Sequence, residues 1–510
     1  MTKIYKKISG AIKRIGLYRL FVKKNSDYWN GNKYLKRESI VMVEISEKNP
    51  FELETTMRIA KAIQKIYGYR IDVVYSGFSS ISEPYSKLVK SYGIDKIYFL
   101  KRYYFTSFNE FIISIVEGYK IFKKLETLED IEVIVYKDIH VGDLVYDTYI
   151  RINAKGYSPK IDLSLFKIIV EAVFNIRIYR KLIDEKIKFM ISIDKCYVKH
   201  GSFIRTGISK GIPVLFPSKR LKILDKENIY RHVYYPGVSF QELVDNVKNI
   251  DLDEKIDEYF KDRFSGNINQ IDVVTAFRNK RVYSKEVLSS LLDLDSTKKN
   301  AVIMPHAFSD FPHIDLGLFQ DYYQWLRYLL INIRDNDKVN WLIKPHPTSY
   351  FFNEVGAVEK LISELHVRNV KIVPIDMSTA SIKDIADVIL TVRGTSGLEF
   401  STFGIPVLNA GRGSYSGYEF NIEPNSIDEY KEHLDNIDKI GELNEVEIFR
   451  AKVVFYDIFI RESITPKYLY NNIDNMLTDY DVVLLNIIEN CKTEILDENV
   501  LFRNVKEVLK

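Results

Sequence analysis

The sequence predicts an α/β protein of two doubly wound, Rossmann-like parallel-sheet domains, with a helical bridge between them and a helical C-terminal tail. Three observations carry this. Short β-rich runs alternate with amphipathic helical patterns from about residue 39, and the alternation restarts near residue 299; such alternation packs as a parallel sheet covered on both faces. The stretch between, residues 218–298, is rich in lysine and aspartate and weak in β-runs. Finally, Ser209-Lys210-Gly211-Ile212-Pro213-Val214-Leu215 echoes Thr402-Phe403-Gly404-Ile405-Pro406-Val407-Leu408. In each, a helix ends at glycine, which tolerates the left-handed C′ conformation, and proline prevents its continuation before a strand.

Bulk properties bound the class. With 510 residues, 46% hydrophobic and 28% charged, the chain is long enough for two or three domains. A formal charge of +4 over this length argues against a nucleic-acid partner. Two cysteines, Cys196 and Cys491, provide neither a disulfide framework nor a cysteine-rich metal site, which fits a reducing compartment. No apolar export signal and no apolar run near the ~18 residues of a membrane span is present, so a cytoplasmic location is expected.

Residues 1–38 form the first segment. Within 1–24 lie Lys3, Lys6, Lys7, Lys13, Arg14, Arg19, Lys23 and Lys24, no acidic residue, and Ile4, Ile8, Ile12, Ile15, Leu17, Leu20 and Phe21 at roughly helical spacing. Two readings of this basic amphipathic helix stand side by side: contact with an anionic membrane surface, or packing on the protein body with a solvated basic face. In the domain expected over 39–217, Ile40–Ile45 is a strand, Glu52–Ile66 a helix, Ile71–Tyr75 and Ile97–Leu100 strands, Phe108–Leu125 a helix and Ile131–Val135 a strand. A helix near Leu163–Ile183 and strands Phe189–Ile193 and Val214–Phe216 complete it. In the second domain, 299–440, the strands are Ala301–Met304, Trp341–Lys344, Val370–Pro374, Val388–Val392 and Pro406–Leu408. The helices are Leu318–Ile333, Glu354–Leu365, Ile382–Ile385 and Leu398–Phe403. The tail, 441–510, has helical spacing in the 450s and over Asp481–Ile488.

Candidate chemistry clusters where strands end, because ligands of open α/β sheets bind at the carboxyl ends of strands. Lys344-Pro345-His346-Pro347 follows one strand and offers a cation and an imidazole to phosphate oxygens. A proline-rigidified turn with a solvated lysine explains the same spacing. Arg393-Gly394-Thr395-Ser396-Gly397-Leu398-Glu399 follows another and opens a helix, where backbone N–H groups, two hydroxyls and the helix dipole suit an anion. Glu399 is placed to accept from ribose hydroxyls, and a capping box is the alternative. Neither standard phosphate-loop spacing is present. His306, Asp310 and His313 in Pro305–His313, with His140, Asp143 and Asp147 in Lys137–Asp147, add titratable groups. Asp143, or His306 with Asp310, is the expected base for an acceptor hydroxyl, and loop-fixing is the competing role. His306 and His313 lack a convincing ligand set, so no metal is expected.

Taken together, the pattern His-x-Phe-Ser-Asp, then Leu318 to Leu326, then Lys-Pro-His-Pro, then Arg-Gly-Thr-Ser-Gly-x-Glu with Gly-Ile-Pro-Val, resembles bacterial surface-carbohydrate and capsule-polysaccharide biosynthesis proteins. The stretch Gly142–Arg151 resembles theirs too, so the likeness spans about 130–420. Those proteins are similar to GT-B glycosyltransferases, with the donor nucleotide in the C-terminal domain and the acceptor entering from the N-terminal one. The resemblance implies phosphate contacts from Lys344, His346, Thr395 and Ser396 and a ribose contact from Glu399. The His-Pro pair also resembles sialyl- and Kdo-transferases that use CMP-activated sugars, which favours CMP as the nucleotide and gives Arg393 and Lys344 a phosphate or sugar carboxylate to meet. Their acidic Asp/Glu-Asp/Glu-Gly motif is not evident here. The expected activity is metal-independent transfer of a sugar from a nucleotide sugar to a glycan or glycolipid acceptor. A sugar-nucleotide 2-epimerase and a catalytically silent scaffold of a polysaccharide-assembly complex are the alternatives.

Overall fold

The computed structural model describes residues 2–30, 38–46, 49–76, 83–153, 159–266, 268, 276–278, 280–315, 317–470, 480–490 and 500–509. The chain forms two compact units, one of residues 1–148, 160–229 and 462–510, the other of 149–159 and 230–461.

The first unit holds strands β1 (Ile40–Ile45), β2 (Arg70–Tyr75), β3 (Lys96–Phe99), β4 (Val135–Tyr136), β5 (Ile139–His140), β6 (Ile187–Ile191), β7 (Val214–Pro217) and β8 (Leu221–Leu224). Six of them form one sheet in the order β3-β2-β1-β6-β7-β8, parallel except for β8, which runs antiparallel to β7. Local chemistry sets the element ends. The helix Pro50–Tyr67 begins with proline in its first turn and Asn49 accepting from Phe51 N–H, and it ends at Gly68 with φ 72°. Val41, Val43 and Ile45 of β1 pack with Leu53 and Met57 of that helix in the core.

Two expectations are corrected in this unit. Ile131–Val135 is not a strand: Thr127 and Asp130 form a capping box that starts the helix Leu128–Glu132. The β-structure comes after it as the hairpin β4–β5, whose turn residues Lys137 and Asp138 both take positive φ. The unit also does not close at residue 217. β8 lies inside the stretch read as a helical bridge, and Leu469, Val483, Leu484 and Ile487 of the tail enter its hydrophobic core. The N-terminal helix Thr2–Asn30 is helical as expected, and its Phe21 and Trp29 are buried in that same core.

The second unit is a five-stranded, all-parallel sheet of β9 (Asn300–Ile303), β10 (Asn340–Ile343), β11 (Val370–Ile372), β12 (Val388–Thr391) and β13 (Val407–Asn409), ordered β11-β10-β9-β12-β13. β9 and β12 are buried along their whole length, as central strands covered on both faces must be. The chain winds outward from β9 to β11, then returns to the other side of β9 with β12. The topological switch point therefore lies between β9 and β12, where this architecture binds ligands. The helices Phe240–Asp245 and Leu252–Phe264 do not form a separate bridge; Leu243 and Phe260 share a core with Leu398, Tyr415 and Phe455 of this unit. Among the described residues, no helix is long and apolar enough to cross a membrane.

Candidate functional site

Three loops leave the carboxyl ends of β9, β10 and β12 and carry most of the residues singled out in the second unit. The loops after β9 and β10, with Val373–Ile375 after β11, line a cavity of about 370 Å³ that includes His306, Lys344, His346, Tyr350 and Glu354. A smaller one of about 90 Å³ shares His306, Lys344 and His346 and adds Thr395, Ser396 and Glu399.

Lys344 is buried, and its Nζ donates to the carbonyl of Met377 at 2.9 Å. Burial, with the nearby Lys280 charge, pushes its pKa down to about 8. His346 is fixed by Thr348, whose N–H donates to Nδ1 at 3.3 Å and whose hydroxyl lies 2.8 Å from the same atom. With Nδ1 accepting, the neutral ring carries its proton on Nε2, a donor for an anion.

His306 is arranged differently. Its Nε2 accepts the backbone N–H of Arg393 at 3.2 Å, and its ring stacks on Tyr322 with centroids 4.2 Å apart. Burial holds its pKa well below the ordinary histidine value, and the charges of His346, Arg393 and His232 lower it further. At neutral pH the ring is thus an uncharged donor through Nδ1, its lone pair already engaged. That suits orientation and hydrogen bonding better than proton abstraction.

The turn after β12 is held from both sides. Thr391 Oγ1 donates to Met304 O at 2.9 Å and accepts Gly394 N–H at 3.3 Å, while Tyr415 OH donates to Gly394 O at 2.8 Å. Side chains are excluded here: a Cβ on Gly394 would meet Thr391 Oγ1 at 2.9 Å, and one on Gly397 would meet Tyr415 OH at 2.0 Å. Thr395 and Ser396 therefore sit on a tightly specified bend lining the smaller cavity. The helix opened there is a single turn, Ser396–Glu399, continued by a 3₁₀ turn to Phe403. Thr395 makes no side-chain capping bond, and Glu399 reaches Arg263 instead, with Nη2 at 2.5 Å and Nε at 3.1 Å. A capping box does not hold this bend. The ribose contact expected of Glu399 would have to share a carboxylate already engaged by a buried guanidinium. Arg393 is buried over the Tyr322 ring, 5.7 Å from its centroid, and among the described residues its Nε and Nη1 find no hydrogen-bond partner.

The remaining predicted residues are not among those that line these cavities. Asp310 is exposed and lines neither of them. Asp143 belongs to the first unit, buried in a bidentate pair with Arg205 at 2.6 and 2.5 Å. His140 lies 3.4 Å from the same carboxylate. A carboxylate held by both oxygens on a buried guanidinium serves the packing of this unit first. Sequence reasoning missed Glu354, which lines the larger cavity and accepts from Phe308 N–H (2.6 Å), Ser309 N–H (2.8 Å) and the Ser309 hydroxyl (2.5 Å). It also missed Arg263. The partner residues lie 45 to 136 positions away, so no local spacing could have shown them.

No family model matches the chain, and no curated protein matches it. Solved structures similar to it include a Thermosulfurimonas dismutans KpsC, described as a beta Kdo 2,4 transferase (14% identity, 52% of this chain, 80% of that one, TM-score 0.32). A Rickettsia africae glycosyltransferase matches with 12% identity over 90% of this chain and 99% of that one, TM-score 0.28. A Neisseria meningitidis UDP-GlcNAc 2-epimerase bound to UDP-GlcNAc matches with 9% identity over 88% and 100%, TM-score 0.22. The molecules it is similar to are glycosyltransferases and sugar-nucleotide epimerases. Likeness this low leaves function to be read from the residues themselves.

Proposed function

We propose that the protein is a cytoplasmic glycosyltransferase that moves a sugar from a nucleotide sugar, with CMP the favoured nucleotide, to a surface or capsular polysaccharide or its lipid-linked precursor. One observation carries this reading: Lys344, His346 and His306 line two cavities in common, and the smaller of these takes in the Thr395–Ser396 bend at the switch point of a parallel sheet. Departure of a nucleotide leaves negative charge on a phosphate. Prearranged donors and cations aimed at that charge lower the barrier because they need no reorganisation during the reaction. Lys344 supplies the cation, His346 an Nε2–H, and Thr395 and Ser396 hydroxyls; Arg393 adds positive potential from behind the bend. In this reading side chains meet the phosphate charge without a metal. The engaged carboxylate of Asp143 and the engaged lone pair of His306 speak against either as the acceptor base, and Glu354 is the cavity carboxylate to test in their place.

A thermal-shift series with CMP, CDP, UDP, GDP and TDP tests the site, since a ligand of the native state raises Tm by mass action. One nucleotide should stand out, and His346→Ala or Ser396→Ala should weaken its binding roughly 10- to 100-fold, as loss of a hydrogen bond to a charged group does. No shift with any nucleotide would sink the reading and favour the scaffold. An isomerised sugar released without acceptor would replace transfer by epimerisation.

A further inference from the structure

The helix Phe108–Phe122 in the first unit is apolar on two sides. Its inner side packs on the helix Leu163–Leu182, so closely that a Cβ on Gly118 would meet Val170 Cγ2 at 2.8 Å. That leaves an outer stripe. Phe108, Ile112, Val116 and Tyr119, spaced at helical repeats, are 58%, 43%, 49% and 58% exposed, and Phe105 just before the helix is 87% exposed. A contiguous row of large apolar side chains in water marks an interaction surface rather than ordinary scatter.

Charge selects the occupant. The two acidic residues of the helix are withdrawn from the stripe: Glu110 meets Arg177 at 2.6 Å and Lys181 at 2.5 Å, and Glu117 meets Arg177 at 3.0 Å. The bordering cations stay in water, with Arg102, Lys120, Lys123 and Lys124 all exposed. The next acidic residues, Glu126 and Glu129, lie beyond the helix end. An apolar stripe with a basic rim fits an anionic bilayer, where the apolar groups enter the headgroup–acyl boundary and the cations meet the negative surface potential.

We propose that this helix face is a docking surface for an anionic lipid bilayer. It is distinct from the basic N-terminal helix, whose Phe21 and Trp29 are occupied in the core, and it does not rest on the nucleotide site.

The test is flotation of the full chain with phosphatidylglycerol and with phosphatidylcholine vesicles. The wild type should float with the anionic vesicles and only weakly with neutral ones. Phe108→Gln/Ile112→Gln/Val116→Gln should cut the anionic partition at least tenfold, and Lys120→Gln/Lys123→Gln/Lys124→Gln should cut it and flatten its salt dependence. Gln keeps helix propensity and the positions are exposed, so unchanged melting temperature and nucleotide shift confirm folding. Three outcomes overturn the proposal: equal flotation of both variants and wild type, flotation lost only on replacing Lys3, Lys6 and Lys7, or no flotation with light scattering showing that the stripe variant abolishes a dimer.

Discussion

Lys344 makes the candidate site sensitive to pH in a defined direction. Its pKa of about 8 means that Lys344 is a cation below pH 8 and loses that charge above it. Nucleotide affinity should therefore hold from pH 6.5 to 7.5 and fall between pH 8 and 9.5, by up to about tenfold per unit. Titration calorimetry across that range checks this, with Lys344→Ala expected to bind weakly and to show a flatter profile. In the first unit a different histidine titrates. His200 Nδ1 lies 3.1 Å from Glu44 Oε2, a buried carboxylate that also accepts from Ser76 at 2.8 Å and Ser192 at 2.7 Å. Burial alone would lower the His200 pKa, but the charges of Glu44 and Asp194 outweigh it and raise it to about 9. A pKa raised on folding stabilises fully below the unfolded value near 6.5 and is lost as pH climbs through about 9. Melting of the wild type should drop by a few degrees between pH 7 and 9.5, and His200→Gln should lose most of that dependence.

At the scale of elements, the strand–bend–helix unit after β12 depends on its two glycines. Gly397→Ala should cost about 1–3 kcal/mol, the usual penalty of overpacking, because the new methyl would overlap the Tyr415 hydroxyl. Combining it with Tyr415→Phe should recover part of the loss, which chemical denaturation can measure. These elements were legible in the amino-acid order. β9, β10 and β12 are short apolar runs ended by Pro, His, Lys or Gly, so their carboxyl ends, and hence the site loops, could be located without coordinates. β8 was not legible, since Leu221-Lys222-Ile223-Leu224 is a four-residue run within a lysine-rich stretch, and its strand character comes from pairing with β7. The opposite error occurred at Ile131–Val135, where apolar content outweighed the Thr127/Asp130 capping signal. Side-chain partners were the least legible level. Nothing near Asp143 announces Arg205, 62 residues on, and nothing near Glu399 announces Arg263.

For the molecule as a whole, the connectivity matters more than either sheet. The chain passes between units after Thr148, Pro159, Ile229 and Arg461, and its last segment completes the unit that its first segment began. Tyr468 OH donates to Glu54 Oε1 at 2.8 Å, beside Arg58 Nε at 2.5 Å from the same oxygen, which ties the tail to the helix Pro50–Tyr67. Removing residues 462–510 should expose the faces now covered by Leu469, Val483, Leu484 and Ile487. The truncated chain should lose a calorimetric transition or become insoluble, while the transition of the second unit persists.

This threading also sets an order of events during synthesis. Domains ordinarily mature on the ribosome from the N-terminus onward. Here the segment holding the five-stranded sheet leaves the exit tunnel while the earlier sheet still lacks part of its interior. The half with the five-stranded sheet can thus be finished first, although it is translated second, and the nascent first half must wait with an incomplete apolar face.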